Sequence, residues 1–318
     1  MTQYNPKKIN EVLLSIPNNK PVYLAGHLIP DQDSIGSCMA LALFLKKLGK
    51  KAKILLEKKD FDILDWYGDK SLLVNEIKEK DYILIALDVN EKKRLGNYEN
   101  CFDCASMTIN IDHHQNNKYE SNYTLSIPGT SSTCEIVYEV IKKSGKDYIT
   151  TEIATLLYAG IMTDTVCFTR RLSKKTMTIA QNLINLGIDY IRIIKKTYAE
   201  RTMYELQALA KLVNDIRFDG FHYVVVDKEL DCFCDLSHND IVKKIAEDLR
   251  KIDILDVFLL LIKEGNKITA KVMSNKSGNA DKVASVFGGG GHKKEAGFTV
   301  TNMSIDEIIL KTKEYLNI

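Results

Sequence analysis

No stretch of the 318-residue sequence approaches the roughly 20 consecutive apolar residues that a bilayer-spanning helix needs, which excludes that class of protein. The opening segment MTQYNPKKIN has no apolar centre of a secretory signal, so a cytoplasmic location is expected. An excess of one charge is also missing. The 44 basic and 42 acidic side chains leave a net charge of +2. That argues against coating long nucleic acid through one broad basic face, but not against a local pocket for a few phosphates. Cysteine is sparse: seven residues, an odd number with no dense framework. Reduced thiols are expected rather than a disulfide scaffold. To form a zinc site, the pair Cys101 and Cys104 would have to meet Cys232 and Cys234 across more than a hundred residues of chain, and both lie in irregular-looking sequence. Internal repeats and low-complexity tracts are absent.

What is present is ordinary for a globular protein, with 45% hydrophobic and 27% charged residues. The length exceeds one typical domain, and two are expected. The first, over 1–190, alternates apolar strands with helices. VYLAG, KAKILLE, YILIALD and SMTINID read as strands; a segment from about Ser34 to Leu48, SSTCEIVYEVIKKSG and TEIATLLYAGIM read as helices. This alternation predicts an α/β domain with a mostly parallel sheet covered on both faces. A Lys-rich stretch without proline or interior glycine, from about Ile188 to Leu212, predicts a connector helix within a linker over 191–215. A smaller α+β domain is expected over 216–318. Its strands are FHYVVVD, the hairpin DVFLLLIKEGNKITAKVMS and FTVT; its helices are SHNDIVKKIAEDLRKI and SIDEIILKTKEYL.

Ligands of parallel α/β sheets bind at the carboxyl ends of the strands. The polar clusters sit there: His27, Asp31 and Asp33 in HLIPDQDSIGS, Asp88 ending YILIALD, Asp112, His113 and His114 in DHH, and Asp164 in TDT. Singly, each has a plain reading as a helix cap or a polar turn. Jointly, carboxylates and imidazoles at one edge repel or desolvate one another unless a cation lies between them. Oxygen-rich sites with some imidazole suit Mn or Mg, and Zn less well. There are enough groups for two ions sharing a carboxylate, an arrangement that serves phosphoryl hydrolysis. The four consecutive glycines Gly288 to Gly291 permit close approach by a ligand, and their N–H groups with His292 can cradle an anion.

The ordered motifs HLIPDQDSIGS, LDVN, DHH and TDT resemble those of the DHH phosphoesterase superfamily, and FGGGGHKKEAG resembles the glycine-rich motif of its DHHA1 domain. The resemblance covers nearly the whole chain. In length it is similar to the stand-alone oligoribonuclease/pAp phosphatase type and the related cyclic di-AMP and pApA phosphodiesterases. It implies one metal on His27, Asp31 and Asp88, and a second on Asp33, Asp88, His113 and Asp164, with Asp88 bridging. It further implies His114 beside the scissile phosphate, with Asp112 orienting a histidine, so that the catalytic set is Asp33, Asp88 and His114. Gly288, Gly289, Gly290, Gly291, His292 and Lys276 are expected to bind substrate phosphate. Two departures stand out. SNKS, Ser274 to Ser277, places Lys276 where relatives often carry arginine, losing the bidentate fork. Glu295 and Ala296 replace two alanines before the last glycine of the loop.

The implied activity is an Mn-dependent two-metal phosphodiesterase acting on very short oligonucleotides or dinucleotides, with Mg as the other candidate ion. The alternatives are a cyclic di-AMP phosphodiesterase, a pAp 3′-phosphatase, or a nucleotide-binding regulator without turnover. No long nucleic acid and no membrane are expected as partners; a homodimer is, by the same resemblance.

Overall fold

The structure is a computed structural model that describes residues 5–58, 68–199, 202–227, 246, 248–249, 252 and 256–318. It divides into two compact units, Met1–Glu200 and Arg201–Ile318.

The strands of the first unit are β1 (Pro21–Ala25), β2 (Lys51–Leu55), β3 (Leu73–Val74), β4 (Ile83–Leu87), β5 (Met107–Asp112) and β6 (Tyr123–Ser126). They form one sheet in the order β3-β2-β1-β4-β5-β6, with every pairing parallel. Its helices are α1 (Pro6–Ser15), α2 (Gln32–Lys47), α3 (Glu99–Asp103), α4 (Thr133–Lys142), α5 (Thr151–Asp164), α6 (Lys174–Ile184) and α7 (Tyr190–Ile194). The central strands β1 and β4 are apolar because both faces are covered, whereas β2 exposes Lys51 and Lys53 and β5 buries Thr108, Asn110 and Asp112. One core joins α1, α2, α4 and α5 to Leu24, Ile85 and Ile109; the opposite face packs Tyr23, Leu84 and Ala86 against Leu95, Phe102 and Tyr119.

This strand order reverses direction between β1 and β4, which is where such sheets open a crevice at their carboxyl ends. Register brings the ends into step. Ala25 pairs with Ala86, and Leu87 pairs with Ile111. His27, Asp88 and Asp112 therefore leave neighbouring strands at nearly the same level.

The second unit contains α8 (Met203–Asn214), β7 (Arg217–Phe218), β8 (His222–Asp227), β9 (Val257–Glu264), β10 (Lys267–Ser274), α9 (Ala280–Val286), β11 (Gly290–His292), β12 (Glu295–Thr301) and α10 (Ile305–Leu316). Its sheet runs β11-β12-β10-β9-β8-β7, antiparallel except for the β8–β9 pair. The expected hairpin turn at EGNK joins β9 and β10. The expected helix SHNDIVKKIAEDLRKI lies almost wholly outside the described residues.

The connector helix expected from Ile188 to Leu212 is not continuous. α7 ends at Ile194 and runs into a π-type turn over Lys195–Ala199; α8 then starts afresh. Thr202 is extended and makes a reciprocal capping box with Glu205. A box of this kind satisfies two orphan N–H groups and defines a helix start. α8 also belongs to the second unit's core, where Ala208 and Leu212 pack with Val224, Val226 and Phe258.

Candidate metal centre

The loop after β1 turns directly into α2. Asp31 is the N-cap: its Oδ1 accepts the N–H groups of Asp33 and Ser34, each at 3.1 Å. The capping reading of Asp31 therefore holds, while Oδ2 lies 3.6 Å from His27 Nε2. The same Nε2 is 3.4 Å from Asp88 Oδ2. Asp88 follows β4 with φ of 59°, a left-handed conformation that Asp tolerates better than most residues. It is 3% exposed, and its Oδ1 accepts the Thr133 hydroxyl at 3.1 Å.

Asp33, 1% exposed, sits at the N-terminus of α4. Its Oδ2 accepts Thr133 N–H at 2.7 Å and its Oδ1 accepts Cys134 N–H at 2.9 Å. A helix N-terminus offers unsatisfied donors, so backbone N–H groups fix this carboxylate in place. Close packing of helices sets its position. A Cβ added at Gly160 of α5 would lie 2.4 Å from Cys134 Sγ and 3.0 Å from Asp33 Oδ1. Gly36 has a similar role, because a Cβ there would meet Leu156 O at 2.8 Å. Gly36 is thus required by α2–α5 contact.

His113 Nδ1 lies 3.1 Å from Thr130 O, which makes Nδ1 the donor and leaves Nε2 facing Asp88 Oδ1 and Asp164 Oδ2, both at 3.5 Å. His114 Nδ1 lies 2.6 Å from Asp112 Oδ1, whose other oxygen accepts from Asn117 at 2.7 Å. The Nε2 of His114 lies 3.4 Å from Arg94 NH1. Asp164, the last residue of α5, is also 3.5 Å from Arg171 NH1.

Three groups of ligand atoms converge: His27, Asp31 and Asp88; Asp33, His113 and Asp164; and Asp88, His113 and His114. The electrostatics show what such a cluster costs without a cation. Burial and the Asp88 charge push Asp33 up to about 6, and burial and Asp33 push Asp164 well above the carboxylate range. Burial disfavours the charged forms of His27 and His113. The surrounding aspartates outweigh it and lift both to about 9. Asp112 is likewise opposed by burial, but the hydrogen bonds from His114 and Asn117 hold it below its ordinary value. Protons here do the work that a divalent cation does better, and the oxygen-rich donor set fits a hard ion. Two nearby thiols do not compete: burial pushes Cys38 and Cys134 up, so they stay protonated.

The second-unit residues are placed as follows. Gly288 follows α9, and Gly290 to His292 form β11, paired with β12 so that His292 lies opposite Glu295. The glycine run is therefore half strand. A Cβ at Gly289 would meet Gly297 O at 2.2 Å, and one at Gly291 would meet Ala296 Cα at 2.5 Å. Lys276 lies on a turn held by Asp256, whose Oδ1 accepts Lys276 N–H at 2.6 Å and Ser277 N–H at 2.9 Å.

Sequence reasoning missed Thr133, Arg94 and Asp256. Thr133 follows two serines at a helix start, which is a recognisable capping signal. Its contacts to Asp33 and Asp88 depend on chain crossings that no local pattern encodes.

A parallel α/β sheet with a carboxylate–imidazole cluster at its switch point defines the class: an α/β protein whose clustered side chains could hold metal ions. Comparison with known proteins narrows the class. Residues 21–161 match the DHH family, N-terminal domain, and residues 230–317 match the DHHA1 domain. The chain belongs to the DHH/DHHA1 phosphoesterases and is a hydrolase of phosphoester bonds. It is 27% identical over 315 residues to the bifunctional oligoribonuclease and PAP phosphatase NrnA of Thermus thermophilus, covering 94% of this chain and 89% of that one. The protein of the same name from Mycoplasma genitalium is 23% identical, with 92% and 93% covered. The cyclic-di-AMP phosphodiesterase PdeA of Listeria monocytogenes is 22% identical; 96% of this chain is covered, but it spans only 49% of PdeA. Among solved structures, an exopolyphosphatase-related protein from Bacteroides fragilis superposes with a TM-score of 0.86 at 22% identity, covering 98% of this chain and 95% of that one. RecJ from Thermus thermophilus, in complex with Mn2+, gives 0.59 at 12% identity, covering 100% and 55%. At these identities the structural likenesses concern the fold. Among the described residues, no helix is long and apolar enough to cross a membrane.

Proposed function

We propose that this chain is a two-metal phosphodiesterase that hydrolyses very short oligonucleotides, including dinucleotides such as pApA, to mononucleotides. The observation that carries this is the placement of Asp88: its two oxygens face His27 and His113, which belong to separate three-residue groups. His27 and Asp31 would hold one ion, Asp33, His113 and Asp164 the other, and Asp88 both. Mn2+ is the preferred ion on the donor set, with Mg2+ second. Such ions supply Lewis-acid polarisation of the phosphoryl group and neutralise charge developing on its oxygens.

The chain's own residues do the rest. Asp112 takes the Nδ1 proton of His114 in a hydrogen bond and so directs Nε2 outward, toward the phosphate position. The α4 N-terminus fixes Asp33, and Thr133 fixes Asp88, so the ligands are positioned before an ion arrives. In the second unit, the N–H groups of the glycine run, His292 and Lys276 would hold a phosphate of the substrate remote from the reacting one. A small net charge agrees with few phosphate contacts.

The test is hydrolysis of pApA, a five-nucleotide RNA, cyclic di-AMP, pAp and a 24-nucleotide RNA in Mn2+ or Mg2+, compared by kcat/KM. The proposal expects pApA and the five-mer to lead. A lead for cyclic di-AMP or pAp would move the assignment to the alternative substrate. Equal values on the 24-mer would overturn the short-substrate reading, and no turnover in either ion would overturn the enzyme reading of this site.

A further inference from the structure

Asp31, Asp33, Asp88 and Asp164 carry four negative charges when ionised, and two divalent ions would cancel them with nothing left over. A phosphodiester arrives with one more negative charge, and that charge needs a cation outside the ligand groups. Two arginines lie close by. Arg171 already contacts Asp164 Oδ2 at 3.5 Å. Arg94 is different. Half-buried on the 3-10 turn Lys92–Tyr98, it has its NH1 3.4 Å from His114 Nε2, and among the described residues no carboxylate pairs with it.

An arginine beside an acidic centre would ordinarily turn onto one of the acids. This one is carried on a braced turn. Leu28 N–H donates to Arg94 O at 2.6 Å, which ties the turn to the His27 loop. Gly96, two residues on, has φ of 59°, and a Cβ there would meet Leu28 Cδ1 at 2.5 Å. Arg94 thus projects from a rigid support beside the imidazole that faces the phosphate position.

Protonation follows from the partners. Arginine only donates, so His114 Nε2 accepts, and the ring proton is on Nδ1 toward Asp112. An N–H···N contact to an imidazole is a weak use of a guanidinium; a phosphate oxygen is a stronger acceptor and matches its fork.

We propose that Arg94 is a catalytic residue that binds a non-bridging oxygen of the phosphoryl group at the metal centre, beside His114. This rests on the phosphodiesterase reading above. Arg94 keeps its protons throughout and supplies charge, so it is not the acid that protonates the leaving oxygen.

The experiment uses full-length Arg94→Ala and Arg94→Lys. Calorimetric titration of the metal-loaded proteins with inorganic phosphate should show at least tenfold weaker binding in Arg94→Ala, with the metal titration unchanged. Hydrolysis of bis(4-nitrophenyl) phosphate should fall on the order of a hundredfold, recover partly when guanidinium is added, and be intermediate in Arg94→Lys. The fall should persist when Arg94→Ala is made in a His114→Ala background. Equal phosphate affinity in wild type and Arg94→Ala overturns the assignment, as does an Arg94→Ala change without effect in the His114→Ala background, since either would leave Arg94 acting only through His114. If the wild type hydrolyses no phosphodiester but its phosphate affinity depends on Arg94, the phosphodiesterase reading fails and the Arg94 anion site stands.

Discussion

Asp33 and Thr133, a hundred positions apart in the chain, are joined by a 2.7 Å hydrogen bond from the Thr133 N–H to Asp33 Oδ2. The Thr133 hydroxyl then reaches Asp88 Oδ1 at 3.1 Å. One residue at the start of α4 therefore sets the spacing of two carboxylates, one in the first turn of α2 and one just after β4. Thr133→Val removes the hydroxyl and keeps the N–H. It is expected to weaken metal binding about 10- to 100-fold, the usual effect of losing a residue that orients ligands. Calorimetric Mn2+ titration with circular dichroism as the fold control checks this; unchanged affinity would refute it.

Asp88→Asn separates ligation from folding. Asparagine tolerates the left-handed backbone at this position and is nearly the same size. Removing one of four crowded carboxylates should leave the melting temperature of the metal-free protein equal or higher. The increase in melting temperature on adding Mn2+ should largely vanish, with turnover lost. Full activity of the purified variant in Mn2+ would mean that Asp88 is no ligand.

Stability should depend on pH with a defined sign. In the metal-free protein, His27 and His113 titrate near 9 against an ordinary value of 6.5. The native state holds their protons more tightly, so their contribution is fully present below about pH 6.5 and is lost as pH rises through 9. Asp33, near 6 against 3.8, gives a contribution that is fully present below about pH 3.8 and lost as pH rises through 6. Both trends run the same way. The melting temperature in EDTA should decline from pH 5 to pH 9, while the stabilisation given by saturating Mg2+ should grow, because the ions displace those protons. A metal-induced shift independent of pH would show that the groups do not titrate with binding.

The glycine run offers a test that divides packing from recognition. Gly289→Ala and Gly291→Ala would drive a Cβ into the β12 backbone and should destabilise the second unit by roughly 1–3 kcal/mol. Nothing lies within 4 Å of a Cβ at Gly290, so Gly290→Ala should keep its stability. If a substrate phosphate approaches that backbone, Gly290→Ala should still lower kcat/KM for pApA. Thermal melts and kinetics on the same three variants separate the cases.

Lys276→Ala and His292→Ala should each weaken kcat/KM on oligonucleotides by roughly 1–3 kcal/mol. Bis(4-nitrophenyl) phosphate, too short to reach a remote phosphate site, should be hydrolysed as before. Impairment of both substrates alike would assign these residues to folding.

Much of this was legible in the sequence because its signals are local. Apolar runs bounded by turns located β1, β2, β4 and β5, and strand-end position picked out His27, Asp88 and Asp112. The two-residue β3, the short β6 and helix α1 escaped, since brief elements acquire their identity from the neighbours they pair with. The break at Thr202 was readable in principle from TMYE but was masked by a helical composition on both sides. Arg94 escaped because a charged residue on a polar turn resembles any solvated one until its imidazole neighbour is known.

Every member of the three ligand groups lies between His27 and Asp164, and none belongs to Arg201–Ile318. Synthesis proceeds from the N-terminus, so β1 must wait for β4 to fill the place beside it, and the cluster is incomplete until α5 has been made. A chain stopped before α5 lacks both the last carboxylate, Asp164, and the helix whose Gly160 lets Asp33 settle. On the proposed metal reading, the complete ligand set would exist once the first unit is made, whatever the state of the second.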